Sequence, residues 1–228
     1  MKNLKDYILN ENNFFKNLGV GQVALIRKWI EENCDIKGNY TINDDMEIDV
    51  DGEVSIKGEN IENFPDYIQF GDVKYGFYIC GEPRGPKTTM APINTLRGCP
   101  YSCGSFICSL LSIKSLEYCP HTVKTDFICS QNHYLESLEG APRKVSSFNC
   151  SHSPKLKSFK GGPEKCVRYT CNSCPKVKST DGLPKHMYLF VTVDASDEFI
   201  NDFNEKCEKG IITVDHPMIP KKKTKKKK

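Results

Sequence analysis

Long apolar runs, tryptophan and recognisable catalytic phrases are all scarce in this chain. Only one of its 228 residues is tryptophan, and the mean hydropathy is −0.49. No window is apolar enough to span a bilayer, which excludes a helical membrane protein. The first residues, Met1-Lys-Asn-Leu-Lys-Asp6, lack the apolar core of a secretion signal, so a cytoplasmic setting is expected. No serine–histidine–acid, paired-carboxylate or metal-hydrolase phrase occurs, and a non-enzymatic protein is expected. Gly19-Val-Gly21 lacks the remainder of a dinucleotide fingerprint. The acidic run Glu47-Ile-Asp-Val-Asp-Gly52 lacks the glutamate that a calcium loop needs six residues past its glycine, where Gly58 stands, so it reads as a hairpin instead.

Cysteine is not scarce, with 12 in the chain, yet metal-binding spacing is. Cys171-x-x-Cys174 is the sole CxxC pair, and Cys99-x-x-x-Cys103 is its nearest companion. A structural zinc site wants four ligands at fixed spacing. A cluster of Cys99, Cys103 and Cys119 with His121 is therefore a minor alternative, and no cofactor or metal is expected. The five histidines, at 121, 133, 152, 186 and 216, hold no common position. Without a secretion signal, reduced thiols are expected.

What the chain does have is a beat of 21 residues. An aromatic residue recurs at Phe106, Phe127, Phe148, Tyr169 and Phe190. Two residues later come Cys108, Cys129, Cys150, Cys171 and Thr192, and Pro100, Pro120, Pro142, Pro163 and Pro184 nearly keep time. Cysteine in that column reads as a small buried apolar residue. Equal units that bury their apolar sides only against neighbours make a solenoid. The expected fold is β-rich, a parallel strand stack with an N-terminal helix and β-hairpin cap.

The flanks follow from their own periodicities. Residues 1–33 predict helix, with Leu4, Tyr7 and Ile8 on one short face. A break at Gly19-Val-Gly21 separates it from a second face of Val23, Leu25, Ile26, Trp29 and Ile30. Alternation at Tyr40 and Ile42, Ile48 and Val50, and Val54 and Ile56 predicts strands, with Asp51-Gly52 as the hairpin turn. Residues 1–57 then form the first cap, and 58–193 the solenoid. Within the latter, Ile61, Phe64, Pro65, Val73, Tyr78 and Cys80 make a degenerate unit, and Gly81–Thr89 a surface insertion. Residues 194–220 form the far cap, a short helix bearing Phe199, Ile200 and Phe203 on one side and a last strand near Ile211–Val214. Residues 221–228 form a disordered cationic tail that contains seven of the 32 basic residues. Without them 25 basic residues face 29 acidic ones, a body of −4.

The units themselves are distinctive. Val145-Ser-Ser-Phe148-Asn-Cys150-Ser-His-Ser153-Pro-Lys-Leu156 fits the phrase L-x-x-L-x-L-x-x-N/C-x-L, with Asn132 and Cys174 at its ladder position, Ser153 a substitute there and Leu111 a departure. The preceding unit is one residue longer before Phe127. Leu135-Glu-Ser-Leu-Glu-Gly-Ala-Pro142, Leu156-Lys-Ser-Phe-Lys-Gly-Gly-Pro163 and Val177-Lys-Ser-Thr-Asp-Gly-Leu-Pro184 share a second theme. These phrases resemble the leucine-rich-repeat-like proteins of tailed bacteriophages, over about residues 22–193. The resemblance implies a leucine-rich-repeat-like stack and a viral origin. Met1-Lys-Asn-Leu-Lys-Asp-Tyr-Ile8 is also similar to the capsid-targeting start of T-even phage internal proteins, beside the plainer reading of a helix that packs on the cap.

The outward face of such a stack is the candidate site. One column holds Ile107, Ile128, Asn149, Thr170 and Val191. Ser105, Asp126, Ser147, Arg168 and Leu189 flank it on one side, with Ser109, Ser130, Ser151, Asn172 and Val193 on the other. Solenoid sheets present such surfaces to partners. The expected function is display of a preformed strand surface to an unidentified protein through Ile107, Ile128, Asn149, Thr170, Asp126, Ser147 and Arg168. The alternative is a virion-packaged or nucleic-acid-associated protein, with the tail lysines (Lys221, Lys222, Lys223, Lys225, Lys226, Lys227 and Lys228) as an anchor on phosphates. No membrane partner is expected.

Overall fold

The computed structural model describes the backbone of residues 4–57, 61–81 and 89–219, with side chains from residue 19 onward. The capsid-targeting similarity, most of the Gly81–Thr89 insertion and the lysine tail lie outside the residues described at side-chain level. The chain opens with one helix, α1 (Leu4–Asn33), and runs on into strands β1 (Cys34–Ile42), β2 (Ile48–Lys57) and β3 (Phe70–Cys80). Next come β4 (Ser102–Ile107), β5 (Thr122–Val123), β6 (Asp126–Ile128), β7 (Lys144–Asn149), β8 (Lys165–Thr170) and β9 (His186–Val191). Helix α2 (Asp197–Glu208) and strand β10 (Thr213–Met218) complete the order. The described strands form one ten-stranded sheet in the order β1-β2-β3-β4-β6-β7-β8-β9-β10, with β5 beside β4. Every pairing is parallel except the β1–β2 hairpin.

The 21-residue beat becomes cross-strand register. Phe106 pairs with Phe127, Phe127 with Phe148, Phe148 with Tyr169, and Tyr169 with Phe190. All five rings are wholly buried, with successive centroids 5.4, 5.3, 5.1 and 6.1 Å apart. Stacked and tilted rings at that spacing add to the area they bury. Cys108, Cys129, Cys150 and Cys171 are buried beside them, and their N–H groups donate to Ile128, Asn149, Thr170 and Val191 of the next unit. The extra residue before Phe127 parts β5 from β6.

Two turns repeat as strictly. Leu110, Gln131, His152, Ser173 and Asp194 all have φ between 54° and 61°. At the other end of each unit the glycine of the Leu-x-Ser-Leu-x-Gly-x-Pro theme takes positive φ. At Gly182 (φ 94°) an added Cβ would lie 2.3 Å from the Lys160 nitrogen, so both backbone angle and space demand glycine. Tyr118 fills the corresponding place in the earlier unit, with φ 66°.

The first third departs from the expectations at several points. Helix α1 passes unbroken through Gly19 and Gly21. A helical glycine costs about 1 kcal/mol against alanine, which weakens a helix without ending it. Ile26, Trp29 and Ile30 are buried, and Trp29 meets Phe64 edge-on at 5.2 Å. Leu25, placed with that face by the sequence, is 54% exposed, since it falls 100° from Ile26 around the helix. Asp51-Gly52 is not the hairpin turn. It lies within β2, with Gly52 opposite Gly38 of β1. A Cβ on Gly52 would sit 1.9 Å from the Lys37 carbonyl, so this glycine answers to close approach rather than to a turn. The chain reverses at Asn43–Glu47, where Asn43 Oδ1 accepts the N–H groups of Asp45 and Glu47 at 3.1 and 3.0 Å. In the degenerate unit it is Phe77 and Ile79 that point inward, with Tyr78 and Cys80 half-buried, and Phe77 pairs with Phe106.

At the far end Ser196 caps α2, its hydroxyl accepting the Phe199 N–H. Phe199, Ile200 and Phe203 are buried, and Phe203 stacks on Phe190 at 5.3 Å. The last strand begins two residues later than Ile211 and pairs in parallel with β9.

Candidate functional site

The outward columns assemble as the spacing predicts. Ile107 pairs with Ile128, Ile128 with Asn149, Asn149 with Thr170 and Thr170 with Val191, while Asp126, Ser147, Arg168 and Leu189 form the adjoining row. Arg168 is exposed and the others are half-buried, so the centre of the face is shallow. Asn149 is partly committed, since its Oδ1 accepts the Ser151 N–H at 3.0 Å. The flanking serine column does not stay outward. Ser109 and Ser130 bond to each other at 3.1 Å, but Ser151 is 3% exposed and its hydroxyl accepts the Asn172 N–H. The left-handed turn that follows is common to all three serines, so the bond to the Asn172 N–H is what sets Ser151 apart.

Charge is unevenly distributed over this face. At the β1–β3 end a groove of 420 Å³ is bordered by Asp49, Asp51 and Asp72, with Lys74 and Lys124 beside them. These carboxylates are held from within. Asp49 accepts the Asp72 N–H at 2.8 Å, Asp72 accepts Ser102 Oγ at 2.6 Å, and Asp51 pairs with Lys74 at 2.7 Å. At the starts of β7, β8 and β9 a larger groove of 770 Å³ carries Lys144, Lys165, Lys185 and His186. Its signal was legible in the same register as the rest: Lys144, Lys165 and His186 stand 21 residues apart, three residues before Ser147, Arg168 and Leu189.

The thiols offer little chemistry. All 12 cysteines are free and ten are buried. Burial pushes Cys34, Cys103 and Cys166 up to about 12, and Cys99, Cys108 and Cys129 well above the ordinary 9.0. Such thiols stay protonated, which makes them poor nucleophiles and poor ligands. Cys150, Cys171 and Cys174 hydrogen-bond among themselves, and those bonds draw Cys174 down while burial holds Cys150 up. Among the described residues, no group of three or more His, Cys, Asp or Glu side chains is arranged to hold a metal ion. All five histidines are exposed. No described helix is long and apolar enough to cross a membrane.

The ladder position inside the units shows graded polar satisfaction. Asn132 is wholly buried, donates to the Cys108 and Cys129 carbonyls at 2.8 and 3.0 Å, and accepts the Leu111 N–H at 2.7 Å. Ser153, one unit on, is equally buried and its hydroxyl has no partner. Cys174 follows, with its thiol 3.4 Å from the Cys150 carbonyl. Asn132 and Cys174 thus tie one turn to the next, while Ser153 fills the same place without a bond from its hydroxyl.

No protein-family model, curated protein or solved structure matches this chain.

Proposed function

We propose that the stacked units form a leucine-rich-repeat-like solenoid that serves as a non-enzymatic protein-interaction module, consistent with a phage origin. Ile107, Ile128, Asn149, Thr170, Asp126, Ser147 and Arg168 form its contact surface. One observation carries the reading: the in-register strand rows leave these side chains side by side on a continuous outward face. A backbone locked by the aromatic ladder loses little conformational entropy when a partner docks. Among the described residues most thiols are buried and held protonated, and Cys174, the one drawn down, is itself buried and bonded to Cys150 and Cys171, which favours binding over catalysis.

The test is affinity capture of the tagged full-length protein from its native cells, with and without nuclease. The expected result is a protein partner retained after nuclease and lost with Ile128→Thr combined with Arg168→Glu. The alternative, a virion-packaged or nucleic-acid-associated protein, draws on the lysine tail. It predicts capture that collapses with nuclease and with neutralisation of the seven tail lysines.

A further inference from the structure

The groove at the starts of β7, β8 and β9 combines an apolar floor with a basic rim. Its lining is mostly apolar, from Val167, Leu183 and Pro184 above the buried Val145 and Cys166. Val167 is 56% exposed, a β-branched side chain in water at the centre of a strand. Tyr188, 53% exposed, sits beside it in the next strand.

Around this apolar floor the charge is one-sided. Lys144 and Lys165 are directly paired in register on adjacent strands. Like charges placed opposite one another destabilise a sheet. Among the described residues neither lysine makes an ion pair, nor does Lys185. The carboxylate on the rim, Glu164, is already taken by Arg143 through two bonds of 2.9 and 2.8 Å. The result is three ammonium groups without an ion pair over an aliphatic trough, with Lys165 acting on Glu164 only as a more distant charge behind Arg143. The acidic end of the same sheet, by contrast, satisfies its carboxylates internally.

We propose that this groove takes an acidic peptide segment of a protein partner, its carboxylates set against Lys144, Lys165 and Lys185 and an aliphatic side chain seated between Val167 and Leu183. The inference rests on the reading of the outward face as a protein-binding surface and gives the partner a chemistry. A single-stranded nucleic acid fits less well, because successive bases need successive aromatic platforms, and one exposed ring, Tyr188, stands beside an otherwise aliphatic floor. An extended peptide alternates its side chains, so one face brings apolar residues to the floor while acidic neighbours reach the rim.

The test uses the full chain with its seven tail lysines replaced by glutamine, so that the tail does not bind the probe. A fluorescein-labelled 12-residue peptide of alternating glutamate and leucine is titrated and its anisotropy read. The expected result is saturable binding, weakened about tenfold by Lys144→Glu with Lys165→Glu. Lys165→Gln, the milder variant, is expected to weaken it about threefold with an unchanged melting temperature. A glutamate–serine peptide is expected to bind several-fold more weakly. Equal binding of the glutamate–serine peptide, of a 12-residue oligothymidylate, or of the probe to the charge-reversed protein overturns the proposal. So does concentration-dependent dimerisation abolished by that reversal, which would make the occupant the acidic end of a second copy. If the groove variants are silent while Ile128→Thr with Arg168→Glu still loses the captured partner, this inference falls and the protein-binding reading stands. If neither set has an effect, both fall.

Discussion

The β1–β3 end and the β6–β9 array belong to one sheet but are held together differently. In the array each unit repeats its neighbour, and the same ring, thiol and left-handed turn recur at 21-residue intervals. At the β1–β3 end no side chain recurs in that way. Pairing there shifts register between Ile48 and Val50 and again between Val73 and Gly76. Specific pairs do the work instead, namely Gly38 against Gly52, Asn43 within its own turn, and Asp49 on the Asp72 N–H. A repetitive array spreads its stability over many equivalent contacts, each tied to nearest neighbours. An irregular end concentrates it in a few.

The sharpest break in the array is Phe148→Ala. The ring lies between Phe127 at 5.3 Å and Tyr169 at 5.1 Å, so truncation opens a cavity that backbone collapse cannot fill. A loss of about 3–5 kcal/mol is expected from urea unfolding. The counterpart at the irregular end is Gly52→Ala, which forces the Lys37 carbonyl away and is expected to cost about 2 kcal/mol or more. A smaller loss than that would mean that β1 yields and the pair is not decisive.

Equivalent ladder positions should respond unequally. Asn132→Ala leaves the Leu111 N–H and two carbonyls unsatisfied, for an expected loss of about 2–4 kcal/mol. Ser153→Ala removes a hydroxyl that has no partner and is expected to change stability by less than about 0.5 kcal/mol. Similar losses at the two sites would show that shape rather than hydrogen bonding governs the column.

The thiols make the whole stack alkali-sensitive. In the unfolded chain they ionise near 9.0, whereas burial raises Cys34, Cys103 and Cys166 to about 12 in the fold. The native state therefore binds more protons above pH 9. Stability is full below that point and declines as pH rises from 9 towards 12. Urea midpoints at pH 8, 9.5 and 10.5 should fall in that order, and a flat series refutes the account. The sign is opposite at α2, where hydrogen bonding to Lys206 holds Asp181 below the ordinary carboxylate range. Its contribution is present above about pH 4 and lost as pH falls through the depressed value, a small effect for so exposed a pair. Smallest of all is Arg143→Ala, in an exposed pair with Glu164, where no shift of the urea midpoint is expected.

How much was legible follows the same division. The column of Phe106 to Phe190, the outward row from Ile107 to Thr170 and the apolar side of α2 were all readable, because repetition states each contact several times. The reversal at Asn43 was not, because Asp51-Gly52 offers the stronger local turn signal and only the pairing of Gly38 with Gly52 shows what that glycine is for. Ser151 was assigned outward because strands alternate, yet it lies beyond the strand end, where alternation lapses. The basic groove escaped because its lysines were counted as net charge rather than followed along their own column.

The sequence by itself determined the period, the inward ladder and the outward row of the regular units, since strand geometry converts a 21-residue repeat directly into register. The tertiary structure alone decided where the hairpin turns, which buried polar groups find partners, and that Lys185 joins Lys144 and Lys165 without an ion pair around an aliphatic trough. Those outcomes depend on the distances between chain segments brought together by folding.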